Sequence, residues 1–406
     1  MPPRFHHATL ENGLTVIAES NDAAHTGAVG FFVKAGTRDE DASVMGVSHF
    51  LEHMMFKGTA RRTADDVNRE FDEIGANYNA YTSHESTVYY AQVLPEYLPR
   101  AIDLLGDMLR PALRQEDFDV EKNVILEEIG MYEDRPDWRV HDALLEKYYA
   151  DHPLGYRVLG TVDTIKALRP EQMRAYFEHR YSADNITVAA AGRIDFDRLL
   201  EDVRAITASW KPSGVQRQYV DPKVVVGDHS IVDAKLNRHY VAMMCPGPSA
   251  QDPLRYAAKV MADVIGDADG SRLYWALIDP GLADDASFDF HPQDRTGSFF
   301  AFATCDPDRR EQVESILLRT IDEYASSIDE AELERAKNKI ATLATLAEES
   351  PGGRMRGLGH QWLYLGQYSS LAQELERIMA VTVDDVRKVI AQSRLQHRAI
   401  VRLGPR

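Results

Sequence analysis

The sequence predicts an α+β protein made of two homologous halves, each a mostly antiparallel sheet with helices covering one face. Two observations carry this. The same order of elements occurs twice, and a polar, Pro/Gly-bearing segment separates the two occurrences. In the first half, "TVYYAQVLPEYLPRAIDLLGDML" reads as a strand, a turn at Pro95 and an amphipathic helix, and "QEDFDVEKNVILEEIGMYED" reads as a second helix. In the second half, "GSFFAFATCDPDRREQVESILLRTIDEY" gives strand, turn at Pro307 and helix, and "DEAELERAKNKIATLATLAEE" gives the helix that follows. Lys122-Asn123 meets Lys337-Asn338, and Ile125 meets Ile340. A duplication of about two hundred residues is the economical explanation. The linker falls at Ser209 to Lys223, with Pro212, Gly214 and Pro222. It divides the chain into domains 1–211 and 223–406.

The remaining elements follow in order. "LTVIAES" is a strand entered from a turn at Asn12-Gly13, and "TGAVGFFVKAG" and "ITVAAAGRI" are further strands of the first half. "SHFLEHMM" is a helix, with Ser43 or Ser48 as its cap and Gly58 as its stop. Alternation of Tyr78, Ala80 and Thr82 marks a strand in "GANYNAYTSHESTVYYAQV". "HYVAMMCPG" and "AIVRLG" are strands of the second half.

The chain has 406 residues, 44% hydrophobic and 27% charged, an ordinary composition for a protein with two or three substantial cores. A net charge of −18 disfavours non-specific binding to nucleic acid or to an anionic membrane. The two cysteines, Cys245 and Cys305, lie in apolar strand-like runs and read as core thiols, since two make neither a Cys-rich metal site nor a disulfide framework. No run reaches the roughly 20 apolar residues of a membrane span. The first twenty residues carry no apolar or Arg/Ser-rich leader, so the cytoplasm is the expected location.

The chemistry sits in "SHFLEHMMFKGT". On a helix, residues four apart stack one turn apart on one face, so His49 and His53 present two imidazoles to one point. Glu52 brings a carboxylate close to the same face. A chain of this composition contains H-x-x-[DE]-H by chance only about 0.08 times. The duplication supplies a control. The second half's counterpart helix, near "RYAAKVMADVIG", has no histidine. Ala336 stands opposite Glu121, and Leu343 opposite Glu128. The fold therefore does not require these polar residues.

Two histidines do not complete a catalytic zinc site, which has three protein ligands and an open position. "VEKNVILEEIGMYED" offers Glu121, Glu127, Glu128 and Glu133. Glu121 and Glu128 are two helical turns apart and share a face. Glu127 points about 100° away, and it and Glu133 read as a solvated face.

H-x-x-E-H followed some 75 residues later by E-x6-E, in a chain of two homologous halves, resembles the M16 peptidases, the inverse zincins, in their short M16B form. That family includes the β subunit of the mitochondrial processing peptidase, and its fold is of the LuxS-metallohydrolase type. The resemblance runs through "AGTRDE", "GVSHFLEHMMFKGT", "GANYNAYTSHESTVYYAQVL", "EKNVILEEI" and "GLADDASF". It implies one zinc per chain held by His49, His53 and Glu128, with Glu127 as the fallback ligand if the register is off by one. It implies Glu52 as the catalytic base and Glu121 behind the ligands. It also implies that an extended peptide substrate pairs with the edge strand around Asn79 and Ala80.

One family feature is missing. Active members carry an Arg and, after "GL", a Tyr from a second half that grips the substrate. In "GSRLYWALIDPGLADDASF" those positions hold Leu277 or Ile278 and Asp284, while Arg272 and Tyr274 belong to the preceding anchor. The expectation is a zinc endopeptidase that cuts peptides or unfolded segments inside a closed dimer chamber. The first choice of partner is a homologue with the Arg/Tyr pair and no H-x-x-E-H; a homodimer is second. The alternatives are a non-catalytic scaffold subunit, or a homologue that binds peptides without cutting them.

Overall fold

The structure, a computed structural model, describes residues 3–406. In chain order its elements are β1 (Arg4–Thr9), β2 (Thr15–Ser20), β3 (Gly27–Val33), α1 (Val47–Met55), α2 (Ala64–Glu73), β4 (Asn77–Thr82), β5 (Thr87–Val93), α3 (Leu98–Met108), α4 (Gln115–Glu133), α5 (Pro136–Tyr149), α6 (Val162–Ala167), α7 (Pro170–Arg180), β6 (Ile186–Gly192) and α8 (Phe196–Ile206). After the linker come β7 (Gly227–Val232), β8 (His239–Pro246), α9 (Arg255–Gly266), β9 (Asp285–Gln293), β10 (Thr296–Cys305), α10 (Arg310–Asp322), α11 (Glu330–Glu349), α12 (Pro351–Leu365), α13 (Leu371–Met379), α14 (Val383–Ser393) and β11 (Ala399–Gly404).

The chain forms two compact units. The first takes residues up to Gly130, Tyr156–Gln218 and Leu346–Tyr368. Its sheet runs β1-β2-β6-β3-β5-β4. Only β2 and β6 pair in parallel; the other neighbours are antiparallel. β3 and β6 are buried along their whole length, as strands covered on both faces must be. One face carries the main core, which includes Val16, Val29 and Phe31 from strands, Phe50 and Met54 from α1, and Phe118 from α4. On the other face Met355 and Leu358 of α12 pack against Ile17, Ala28, Phe32 and Ala189. Arg354 of α12 donates to both carboxylate oxygens of the buried Glu19 on β2, at 2.9 and 2.5 Å.

The second unit takes Met131–Gly155, Tyr219–Thr345 and Ser369–Arg406. Its sheet runs β7-β11-β8-β10-β9, again with one parallel pair, β7 with β11. This is the first sheet's order without β1. Helices α9, α10, α11 and α14 cover one face. Val140, Leu144 and Tyr148 of α5 cover the other, against Ala242, Met244 and Val401. Each sheet is therefore mixed, and helices cover both of its faces. The second cover comes from the other half of the sequence: α5 serves the second sheet and α12 the first. The compact units thus interleave along the chain, whereas the halves of the sequence part once, at the linker.

The repeated lysine has one task in both copies. Lys122 donates to the carbonyls of Lys166 and Leu168, and Lys337 to those of Met379 and Val381. The two edge strands differ. Among the described residues, β4 pairs only with β5. β9 has the same place beside β10, but Phe288 on its outer side bridges to Gly266 at the end of α9. A Cβ on Gly266 would lie 2.1 Å from the Phe288 nitrogen, so only glycine closes this edge.

The linker is anchored over its first half. The amides of Ser213 and Gly214 donate to the two carboxylate oxygens of Asp184. The Arg217 guanidinium forks onto Asp39 at 3.0 and 2.6 Å and donates to the Glu85 carbonyl at 2.6 Å. Arg180 reaches the same Asp39 carboxylate at 3.2 Å, and Arg38 pairs with Glu85 at 2.6 Å.

Removing one partner of a fully buried pair leaves the other charge uncompensated. Arg217→Ala is expected to destabilise the chain by about 3 kcal/mol, with Arg180 retaining part of the compensation. Arg217→Ala combined with Asp39→Ala should recover much of that loss in denaturant unfolding.

Candidate metal centre

Helix α1 begins where a carboxylate fixes it. Gly46, in the left-handed region at φ 92°, turns the chain into the helix. The amides of Gly46 and Ser48 donate to the two oxygens of Glu40 at 2.8 and 2.7 Å. This corrects the expected cap. Ser43 is exposed outside the helix, and the Ser48 hydroxyl bonds Tyr176 at 2.7 Å. The helix also ends at Met55, before Gly58. Its apolar face buries Val47, Phe50, Leu51, Met54 and Met55. At about 1.5–3 kcal/mol per large side chain, this burial sets which way the helix faces. His49 is buried, and Glu52 and His53 are half-buried.

Helix α4 is registered against α1 by the Phe50–Phe118 ring stack, with centroids 4.7 Å apart. Three residues beyond Phe118 lies Glu121, and two turns further Glu128. The Nε2 atoms of His49 and His53 lie 3.9 and 3.7 Å from Oε2 of Glu128. Ligand atoms of the three residues all fall within 4.8 Å of one another. A tetrahedral zinc with bonds of about 2.1 Å separates its ligand atoms by about 3.4 Å. Two imidazole nitrogens and a carboxylate oxygen at this spacing fit such an ion. Glu127, one residue away, is exposed, as is Glu133.

Glu121 sits behind the cluster. Its Oε1 is 2.8 Å from Nδ1 of His53, and its Oε2 is 2.5 Å from Nζ of Lys57. The pair orients the His53 ring with Nε2 towards Glu128. Burial, with the neighbouring His53, pushes the His49 pKa down to about 3, so that imidazole is neutral, as a metal ligand must be. Burial also acts to lower His53, but the hydrogen bond and charge of Glu121, with Glu128 and Glu52, outweigh it and leave its pKa raised. Burial raises Glu128, opposed by His53. For Glu121 the same burial effect is overcome by His53 and Lys57, and its carboxyl lies below the usual range.

Glu52 is held from the edge strand. The Thr82 hydroxyl of β4 donates to Glu52 Oε2 at 2.6 Å. Burial raises the Glu52 pKa against that bond. Two residues back along β4, the Ala80 amide is bonded at 2.8 Å by the adjacent Asn79 side chain. The same edge thus presents backbone and anchors Glu52. Sequence reasoning had not singled out Thr82, Lys57 or Glu40. Thr82 was the most accessible of them, as it shares the alternation of Tyr78 and Ala80.

In the second unit, Leu277 is fully buried in the core, and Asp284 faces Arg238 at 3.2 Å. Arg272 is committed to Glu332 and Ser327.

Replacing His53 by Ala should abolish metal binding while leaving the fold, since the second copy folds with no histidine there. Glu128→Gln should weaken zinc affinity more than Glu127→Gln. Glu121→Gln should weaken it about 10–100-fold without abolishing it. Chelator competition on the purified chain measures all three; equal effects of the Glu127 and Glu128 variants would contradict the ligand assignment.

Two family models match the chain: insulinase (peptidase family M16) over residues 15–162 and the peptidase M16 inactive domain over residues 167–340. The chain is 33% identical to an uncharacterised zinc protease of Streptomyces coelicolor, over 98% of this chain and 89% of that one. It is 30% identical to the uncharacterised zinc protease YmxG of Bacillus subtilis, over 98% and 97%. A protease from Helicobacter pylori shares the fold, with a TM-score of 0.93 at 20% identity over 99% of this chain and 100% of that one. His49, Glu52, His53, Glu121 and Glu128 all lie within the segment matched to insulinase, and the chain belongs to the M16 peptidase family.

Proposed function

We propose that the protein is a zinc endopeptidase that hydrolyses peptides or unfolded segments. The observation that carries this is the convergence of His49 and His53 of α1 with Glu128 of α4, with Glu52 beside the two histidines on α1. His49, His53 and Glu128 would hold the ion, one per chain. Bound there, zinc supplies Lewis acidity towards water and a peptide carbonyl.

The chain's own groups supply the rest. An extended peptide pairs with the open edge of β4, displacing the Asn79 side chain from the Ala80 amide. Glu52 takes a proton from the attacking water and passes it to the leaving amine, with Thr82 holding its other oxygen in place. Glu121 fixes the His53 ring through Nδ1. All these ligands are intact, which favours a peptidase over a scaffold subunit.

Leu277 or Ile278 and Asp284 stand where the resemblance implies the substrate-gripping Arg and Tyr, so the reading includes a partner. A homologue supplying that pair across a dimer chamber is preferred, and a homodimer is second. No helix among the described residues is long and apolar enough to cross a membrane, and a cytoplasmic location fits.

Glu52→Gln should retain zinc and lose turnover on a quenched peptide, because an amide cannot accept the proton. An undiminished rate would remove Glu52 as the base. Misplacement of a scissile carbonyl by about 1 Å costs on the order of 10²-fold. The chain alone is therefore expected to be a weak peptidase, with kcat/KM rising by that order when an Arg/Tyr-bearing homologue is added at constant zinc content. Strong activity of the pure chain, unchanged by any partner, would instead support a self-sufficient homodimer.

A further inference from the structure

One end of the second sheet holds a cavity of about 330 Å³, between β7, the start of β8, the first turns of α10 and the end of β11. His239, the first residue of β8, lines it. The residue is 7% exposed, yet neither ring nitrogen has a hydrogen-bond partner among the described residues. Buried polar groups are almost always paired, so this ring needs an explanation. A Cβ on Gly404 would lie 2.8 Å from its Nδ1, so a glycine on β11 gives the ring its room. Arg310, the first residue of α10, lines the same cavity and is half-buried. Its guanidinium has no hydrogen bond or ion pair among the described residues. The start of a helix favours an anion over a cation, so Arg310 adds to a positive potential there.

The first copy shows that the fold does not need these groups. β8 pairs His239 with Cys305, β3 pairs Gly27 with Val93, and Pro307 and Pro95 each follow two residues after those partners. Gly27 therefore corresponds to His239, and Leu98 to Arg310. By the same register Ile102 corresponds to Glu314, and Ala190 to Arg402. Leu98, Ile102 and Ala190 are buried in the first core together with Leu199 and Val203 of α8. Among the described residues no helix takes the place of α8 in the second copy. Exposure accounts for Arg402 and Glu314, because the guanidinium forks onto both glutamate oxygens. It does not account for a buried histidine and an adjacent arginine that both lack partners. Burial lowers the His239 pKa; Glu314 opposes this, and Arg310 and Arg402 add to it. The neutral ring keeps one N–H to donate. In the lining, Arg310, Arg402 and Arg406 stand against Glu311 and Glu314, a positive excess on a chain of net charge −18.

We propose that this cavity binds a small oxyanion, the phosphate or carboxylate group of a small molecule, through the Arg310 guanidinium and the ring N–H of His239. A planar fork of N–H donors matches either group, and the anion supplies the partner that both side chains lack. The site lies wholly within the second unit and does not rest on the peptidase reading.

The test titrates the full zinc-loaded chain by calorimetry with inorganic phosphate and, separately, with citrate, at an ionic strength held constant with potassium chloride. The same titrations are run on Arg310→Leu, which restores the first copy's residue, and on His239→Gln. At least one anion should bind saturably, one per chain, and each variant should weaken that binding about tenfold or more at unchanged zinc content. Arg310→Leu alters only a side chain on the helix surface and decides the matter if His239→Gln does not fold. Binding of phosphate alone supports the site and assigns it to phosphate-bearing ligands; binding of citrate alone supports it and assigns it to carboxylates. The absence of saturable binding by either anion overturns the proposal. Binding that survives Arg310→Leu at full strength overturns it too, and if that binding disappears in His53→Ala the anion sits at the metal centre instead.

Discussion

The Glu40 carboxylate fixes where helix α1 starts, and the geometry of the candidate site depends on that. The first amides of any helix lack partners within it. Here two of them are taken by one buried side chain, at Gly46 and Ser48. A slip of one residue would break both bonds and rotate His49 and His53 by about 100°, away from Glu128. Burial pushes the Glu40 pKa up to about 7 even against these bonds, so the charge is held at a cost. Its neighbours are equally committed, Arg38 to Glu85 and Asp39 to Arg217. Three consecutive buried ionisable residues contribute little net stability. They specify position: the loop is tied at once to the β4–β5 turn, to the linker and to the start of α1.

The two-copy organisation and the convergence of His49, His53 and Glu128 could be read from the sequence because both rest on local periodicity. His49, Glu52 and His53 need only a helix to converge, and Glu121 and Glu128 need only a second one. Glu40 was hidden because a carboxylate capping a helix from six residues upstream has no fixed spacing. Ser43 and Ser48 matched the usual cap chemistry, but neither acts as the cap. The exchange of α5 and α12 was also out of reach. An amphipathic helix shows that it has an apolar face, and nothing in its sequence says which sheet that face will cover. The linker reads as polar and Pro/Gly-bearing, yet the Arg217 side chain within it is 2% exposed.

The duplication separates what the fold needs from what the chemistry needs. Lys122 and Lys337 tie their helices to the same kind of loop and are retained in both copies. The edge strands have diverged. β4 is left open, its Ala80 amide covered only by a neighbouring side chain, whereas β9 is closed by the backbone of Gly266. An open edge is a liability for aggregation unless it is used. Helix α9 ends at Gly266, whose backbone bridges to Phe288.

The same logic explains how a charge could enter the core of the first copy. Glu121 and Ala336 occupy equivalent buried positions, 3% and 8% exposed. A carboxylate there without partners would cost several kcal/mol. It is tolerated because His53 bonds one of its oxygens and the Lys57 ammonium forms an ion pair with the other. Both partners lie on or just beyond α1, whose start is set by Glu40. The buried glutamate therefore depends on the histidine, and the orientation of the histidine depends on the glutamate. Neither would be stable or useful alone, so the second copy, lacking a histidine on α9, is left with an alanine at that place.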